Sequence, residues 1–135
     1  MARTGPRDTA PEMALRCELH RRGLRFRVDR PVLADKRRRV DIVFGPTKVA
    51  VFVDGCFWHG CPLHATQPRA NNSYWQDKIA TNQRRDRDTN RQLEAAGWMV
   101  IRIWEHEDPI DAASRIEDAV QRRRAELRRP SRQRL

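Results

Sequence analysis

The stretch Val49-Ala-Val-Phe-Val-Asp-Gly-Cys-Phe-Trp-His-Gly-Cys-Pro-Leu-His64 decides how this chain is read. Its first five residues, Val49 to Val53, form an unbroken apolar run, the pattern of a strand buried on both faces of a sheet. The run breaks at Asp54-Gly55 and then delivers Cys56, Phe57, Trp58, His59, Cys61 and His64 within nine residues. A buried strand that ends in a turn dense with metal-ligating and aromatic side chains marks this turn as the active centre.

Upstream, Val40-Asp-Ile-Val-Phe44 reads as a second strand, turned towards the first by Gly45-Pro46. It carries one acid, Asp41, and a carboxylate in an otherwise apolar strand costs free energy unless it is paired or metal-bound. Before it, Leu24, Phe26 and Val28 alternate with Arg25, Arg27 and Asp29, the period of a half-exposed strand, and residues 31–39 make a polar, basic connection. Thr9-Ala-Pro-Glu12 is a capping-box pattern, with Thr9 as N-cap, Pro11 in the first turn and Glu12 closing the box. The helix it opens runs to about Arg22 and stops at Gly23, with Ala14, Leu15, Cys17 and Leu19 available for its buried side.

Downstream, a loop over residues 65–72 leads to a polar helix of roughly residues 74–96, capped by Asn72 or Ser73. Its tract from Asn82 to Arg91 has no apolar side chain, so Trp75 and Ile79 at one end and Leu93, Ala95 and Ala96 at the other must anchor it. Gly97 ends the helix, and Trp98-Met-Val-Ile-Arg-Ile-Trp104 is a third clear strand. Asp111 is expected to cap a final amphipathic helix with Ala113, Ile116, Val120 and Leu127 on one face. Residues 128–135 are a basic tail expected to be disordered. Strands and helices of this order, in 135 residues without an internal repeat, predict one α/β domain.

The 28 Lys+Arg residues against 18 Asp+Glu give a formal net charge of +10, which points to a polyanion and most simply to nucleic acid. Of those basic residues 25 are Arg, a bias that genomic base composition also produces, so charge alone does not decide the partner. No apolar stretch approaches the roughly 20 residues of a membrane span. The N-terminal Met-Ala-Arg-Thr-Gly-Pro-Arg-Asp lacks the apolar centre of a signal peptide. Three cysteines, two of them beside histidines, fit metal binding in a reducing cytoplasm better than a disulfide framework.

Cys56, Cys61 and His64 offer three zinc ligands on one tight loop, and thiolate with imidazole is the donor set zinc prefers. His106, just past the third strand, is the best candidate for a fourth, because adjacent strands would bring both loops to one end of the sheet. The plainer alternative is two ordinary cysteines in a loop that happens to hold histidine. Cys17, on a helix, reads as a small core residue. His59 has two readings: a rigidly held proton-transfer group, or the fourth zinc ligand in place of His106. Phe57 and Trp58, joined by Trp75, can stack on or wedge between bases, or simply roof the core.

Val40-Asp-Ile-Val-Phe44, Val49 to Pro62, Trp75, Lys78-Ile79, Asn82, Arg85-Asp86-Arg87, Gly97-Trp98 and Ile103-Trp104-Glu105 together resemble the very short patch repair (Vsr) DNA mismatch endonucleases. The likeness spans about residues 7–107, within an endonuclease domain expected over residues 7–127. It implies a restriction-endonuclease-like α/β fold of the PD-(D/E)xK type: a mixed β-sheet flanked by helices, with a structural zinc. It also implies a monomeric, cytoplasmic prokaryotic enzyme that nicks one strand of double-stranded DNA beside a thymine–guanine mismatch, using magnesium. The resemblance makes Asp41 the principal magnesium ligand with the Val53 backbone carbonyl, His59 the general base, and Glu12 and Asp86 further acidic residues of the site. Phe57, Trp58 and Trp75 would enter the DNA stack, Asn82 and Arg85 would contact DNA, and Cys56, Cys61, His64 and His106 would hold zinc.

This chain departs from the family's best-studied arrangement. Asp54 stands where a histidine is expected, Val53 where a threonine is expected, and the zinc loop differs in ligand order and spacing. Two other functions compete with mismatch nicking: a restriction or defence nuclease on the same fold, and a catalytically silent zinc-bearing DNA-binding module. Asp41 and His59 together argue against the silent module, since binding alone needs neither. A neighbouring cytosine-5 methyltransferase would favour repair, because deamination of its product creates the thymine–guanine pair.

Overall fold

The computed structural model describes residues 10–55 and 72–128. Val49, Ala50 and Val51 are fully buried, as an unbroken apolar run requires, and they lie in the strand β3 (Val49–Asp54) at the centre of the fold. Before it come helix α1 (Ala10–Arg21) and strands β1 (Arg27–Pro31) and β2 (Arg39–Phe44). After it come helix α2 (Asn72–Ala95), strand β4 (Met99–Trp104) and helix α3 (Pro109–Arg128).

The four strands form one mixed sheet in the order β1-β2-β3-β4. The first two pairings are antiparallel, whereas β3 and β4 run parallel from Val49↔Met99 to Asp54↔Trp104. A parallel pair needs a crossover connection, and α2 lies within it. On one face Ile42, Phe44, Val49, Val51 and Ile103 pack with Leu15 and Leu19 of α1 and Ile116 and Val120 of α3. On the other, Val43, Ala50 and Phe52 pack with Leu93 of α2. The expected single α/β layer structure, a mixed sheet flanked by helices, is what forms. Among the described residues no helix is long and apolar enough to cross a membrane.

Both predicted glycine stops are in place. Gly23 (φ 80°) and Gly97 (φ 89°) adopt the left-handed conformation, and the next residue reaches back to close each helix. Leu24 N–H donates to the Leu19 carbonyl at 3.1 Å, and Trp98 N–H to the Leu93 carbonyl at 2.9 Å.

Several local expectations change. Pairing of β1 begins at Arg27 rather than at Leu24, because Leu24 is consumed by the turn that closes α1. Only Leu15 and Leu19 of the expected apolar side of α1 are buried with Glu12, while Ala14 and Cys17 are exposed. Ala95 and Ala96 are exposed too, so Leu93 and Ile79 bury the apolar surface of α2. Helix α3 is capped by Asp108 and not by Asp111: Asp108 Oδ1 accepts the Ile110 N–H at 3.0 Å, and Pro109 takes the first helical position. Leu127 is 61% exposed, since α3 there has run past the sheet that covers Ile116 and Val120. Thr9, Trp75's side chain and residues 129–135 lie outside the described residues.

Helix α1 is tied to α3 by charge as well as by packing. Glu18 accepts from Arg21 at 2.6 Å and from Arg22 at 2.8 Å, and Arg22 also reaches Glu117 of α3 at 2.9 Å. The hydrogen bonds from Arg21 and Arg22 hold the Glu18 carboxyl at about 2, below its ordinary 4.5. A depressed folded value means the stabilisation is complete above pH 4.5 and is lost as pH falls towards 2. Glu18→Gln is therefore expected to lower the melting temperature by about 2–5 °C at pH 7 and to narrow the gap from the parent as pH falls below 4.5. Melting curves from pH 7 to pH 2.5 check this; a gap independent of pH would show that the side chain acts through packing alone.

Candidate active site

The antiparallel ladder between β2 and β3 runs from Phe44↔Val49 to Ile42↔Val51. Beyond Ile42 a side chain takes over from the backbone: Asp41 Oδ2 accepts the Val53 N–H at 2.8 Å. This gives a physical reason for an acid in an apolar strand. The carboxylate is half-buried, held at the end of β3, and aligned by a main-chain donor. Asp41 and the Val53 backbone are thus brought together.

At the same end of the sheet, Asp54 pairs in register with Trp104, and Glu105 N–H donates to the Asp54 carbonyl at 3.0 Å. His106 lies two residues beyond this register pair, at the same end of the sheet as Asp54, and Cys56 follows Asp54 by two residues in the sequence. His106 is exposed in the turn after β4. Glu107 shapes that turn, accepting the Trp104 N–H at 2.7 Å and pairing with Arg115 of α3 at 2.7 Å. Glu105 also approaches β3: a Cβ placed on Gly55 would meet its Oε2 at 3.7 Å.

Asp54 is only 6% exposed and is held by Arg102 of β4, whose Nη1 lies 3.0 and 3.1 Å from the two carboxylate oxygens. The same nitrogen is 3.5 Å from Asp86 Oδ1 on α2, and Arg102 Nε donates to Asn90 Oδ1 at 2.9 Å. The guanidinium lies over the Phe52 ring at 4.1 Å. The sequence alone assigns Arg102 no role. Its signal was present, as the one charge inside the apolar run Met99–Trp104, but only the packing of α2 on the sheet shows what it meets.

Glu12 is 4% exposed and forms an ion pair with Arg16 one turn along α1. It sits on the helix packed against the sheet face opposite α2, whereas Asp86 projects from α2 towards Arg102. Asn82 is half-buried and Arg85 exposed, both on α2, where Arg84, Arg85, Arg87 and Arg91 give a strongly basic, accessible surface. The predicted residues Cys56, Phe57, Trp58, His59, Cys61 and His64 lie outside the described residues, as does the side chain of Trp75. Among the described residues no three His, Cys, Asp or Glu side chains cluster as a metal site.

Comparison with known proteins meets this geometry at the same segments. The family model described as DNA mismatch endonuclease Vsr matches residues 1–64, which include Asp41, Val53 and Asp54. The chain is 47% identical over 114 residues to the Type II nicking enzyme V.NaeI of Lentzea aerocolonigenes, covering 83% of this chain and 69% of that protein. It is 39% identical to the Type II nicking enzyme V.XorIIP of Xanthomonas oryzae pv. oryzae, over 79% of this chain and 77% of the relative. It is 38% identical to the DNA mismatch endonuclease Vsr of Escherichia coli, over 73% of this chain and 62% of the relative. Identity at this level across most of the chain, joined to the family match over the acid-bearing strands, places this protein in the Vsr family of DNA mismatch endonucleases.

Proposed function

We propose that this protein nicks one strand of duplex DNA beside a thymine–guanine mismatch by hydrolysing a phosphodiester bond, with magnesium at the reaction centre and zinc in a structural role. The observation that carries the reading is the Asp41 carboxylate seated on the Val53 N–H at the end of β3. Carboxylate and backbone carbonyl are the hard oxygen donors magnesium takes, so Asp41 and the Val53 carbonyl fit that ion. Cys56, Cys61, His64 and His106 are a soft thiolate–imidazole set that fits zinc, and the Asp54↔Trp104 register supports a meeting of the two loops. Magnesium, when bound, polarises the phosphate and makes attacking water more acidic.

The chain's own residues do the rest. Asp41 orients through its main-chain hydrogen bond, and His59 accepts the proton of the attacking water. The arginines on the exposed side of α2 neutralise backbone phosphates, a salt-sensitive and sequence-independent contribution to affinity. Phe57, Trp58 and Trp75 supply the stacking surface that a weakened, mismatched step admits most easily.

A second reading, nicking without a mismatch requirement, draws on the names of the relatives that are Type II nicking enzymes. Matched and mismatched duplexes, each strand labelled separately, distinguish the two. The expected result is a magnesium-dependent break in one strand only, at least about fivefold faster on the mismatched duplex, the lower end of what a discrimination of about 1–3 kcal/mol at one base pair gives. Equal rates would favour the second reading, and no break in either duplex would remove both. A role beside a cytosine methyltransferase follows from the first reading, because deaminated 5-methylcytosine is the source of such mismatches.

A further inference from the structure

We infer that Arg102 is a positioning residue of the reaction, one that fixes α2 and the end of β3 in a single geometry; the inference rests on the nicking activity proposed above. One guanidinium spans two elements that the sequence separates. It holds both oxygens of Asp54 on β3 at 3.0 and 3.1 Å, and on α2 it meets Asp86 Oδ1 at 3.5 Å, the Asp86 carbonyl at 3.5 Å and Asn90 Oδ1 at 2.9 Å. Its flat face lies on Phe52, whose ring belongs to the core between the sheet and α2.

An arginine is suited to this task in a way lysine is not. Its five donors form a rigid planar fork, so several partners are fixed in relative orientation by one side chain. Asp54 is the last residue of β3, and the segment bearing Cys56 and His59 departs one residue later. Asp86 is set by the same nitrogen, so the helix that presents the basic surface and the strand that carries Asp41's partner Val53 keep one spacing. Asp54 and Arg102 then behave as one unit. Loss of the arginine alone removes two charge-assisted bonds from a buried carboxylate, whereas loss of both charges leaves two neutral groups able to bond each other.

The test is a double-mutant cycle on the intact protein, with Asp54→Asn, Arg102→Gln and the pair together. Nicking is measured at saturating mismatched duplex, duplex affinity by titration without magnesium, and folding by thermal melting on the same preparations. Arg102→Gln is expected to lower the nicking rate about 10²-fold, the cost of a reacting group displaced by an ångström, with affinity within about threefold of the parent. The double variant is expected to nick at least about tenfold faster than Arg102→Gln, as strong coupling requires, and Arg102→Lys to fall between parent and Arg102→Gln. Nicking by Arg102→Gln within twofold of the parent overturns the inference. So does a loss that merely follows the unfolded fraction, or two single losses that multiply in the double variant. If the parent itself does not nick, the reading of function fails separately; coupling of Asp54 and Arg102 is then read from the four melting curves, and additive shifts overturn the inference there too.

Discussion

Asp41→Asn is expected to reduce nicking by at least about 10³-fold while duplex affinity stays within about threefold of the parent. The substitution is chosen for what it keeps. Asparagine retains an oxygen that can accept the Val53 N–H at the place where Asp41 Oδ2 accepts it now, so the end of β2 keeps its shape. What disappears is the negative charge proposed to hold magnesium. The arginines of α2 that face solvent are untouched, and they are the proposed source of the phosphate contacts. Nicking at the parent rate in Asp41→Asn would remove Asp41 from the centre of the reaction. His59→Ala separates a second pair of roles: loss of rate by roughly 10²–10⁴-fold with zinc retained marks a base, and loss of zinc with loss of fold marks a metal ligand.

The second large effect concerns zinc itself. Binding free energies of structural zinc reach roughly 10–16 kcal/mol in zinc-finger peptides, more than the whole stability of many small domains. One tightly held zinc per chain is the expected result of elemental analysis. Cys56→Ala and Cys61→Ala are each expected to yield protein that is poorly soluble or unfolded, and a chelator strong enough to strip the metal is expected to do the same. Well-folded, active protein with no zinc would end the proposal. His106→Ala is more selective: full stability with zinc retained would reject only the fourth ligand and return His59 to that role.

The strands that are easiest to read are those with the longest apolar runs. Val49–Val53 and Met99–Trp104 are apolar runs bounded by breakers, and both are paired at the sheet centre or beside it. Both helix-stopping glycines were legible, because the left-handed conformation is a local demand. The start of β1 was not, since alternation from Leu24 is equally the pattern of a turn that buries one leucine and then a strand. Asp108-Pro109 carries the stronger capping signal, but Asp111, three residues further on, is the same residue type and competes with it in the sequence. In the site, Asp41 was legible as an acid out of place. Arg102 with Asp54 and Asp86 was not legible as a unit: its members lie on two strands and a helix, and only tertiary packing brings them within 3.5 Å.

The parallel pairing of β3 with β4 has a consequence for how the chain is made. These two strands cannot meet until the whole of α2 has folded back across the sheet, so the pairing is a distant closure with a high entropic cost before any contact repays it. Local hairpins, β1 with β2 and β2 with β3, need no such wait. The ends of β3 and β4, and with them Asp54 and the turn that bears His106, therefore come together only with that closure, later than the local hairpins. During synthesis the same order holds, because β4 leaves the ribosome after β3 and α2. The Asp54–Arg102 pair is thus completed only when β4 joins the sheet, whereas the Asp41–Val53 hydrogen bond belongs to the earlier β2–β3 hairpin.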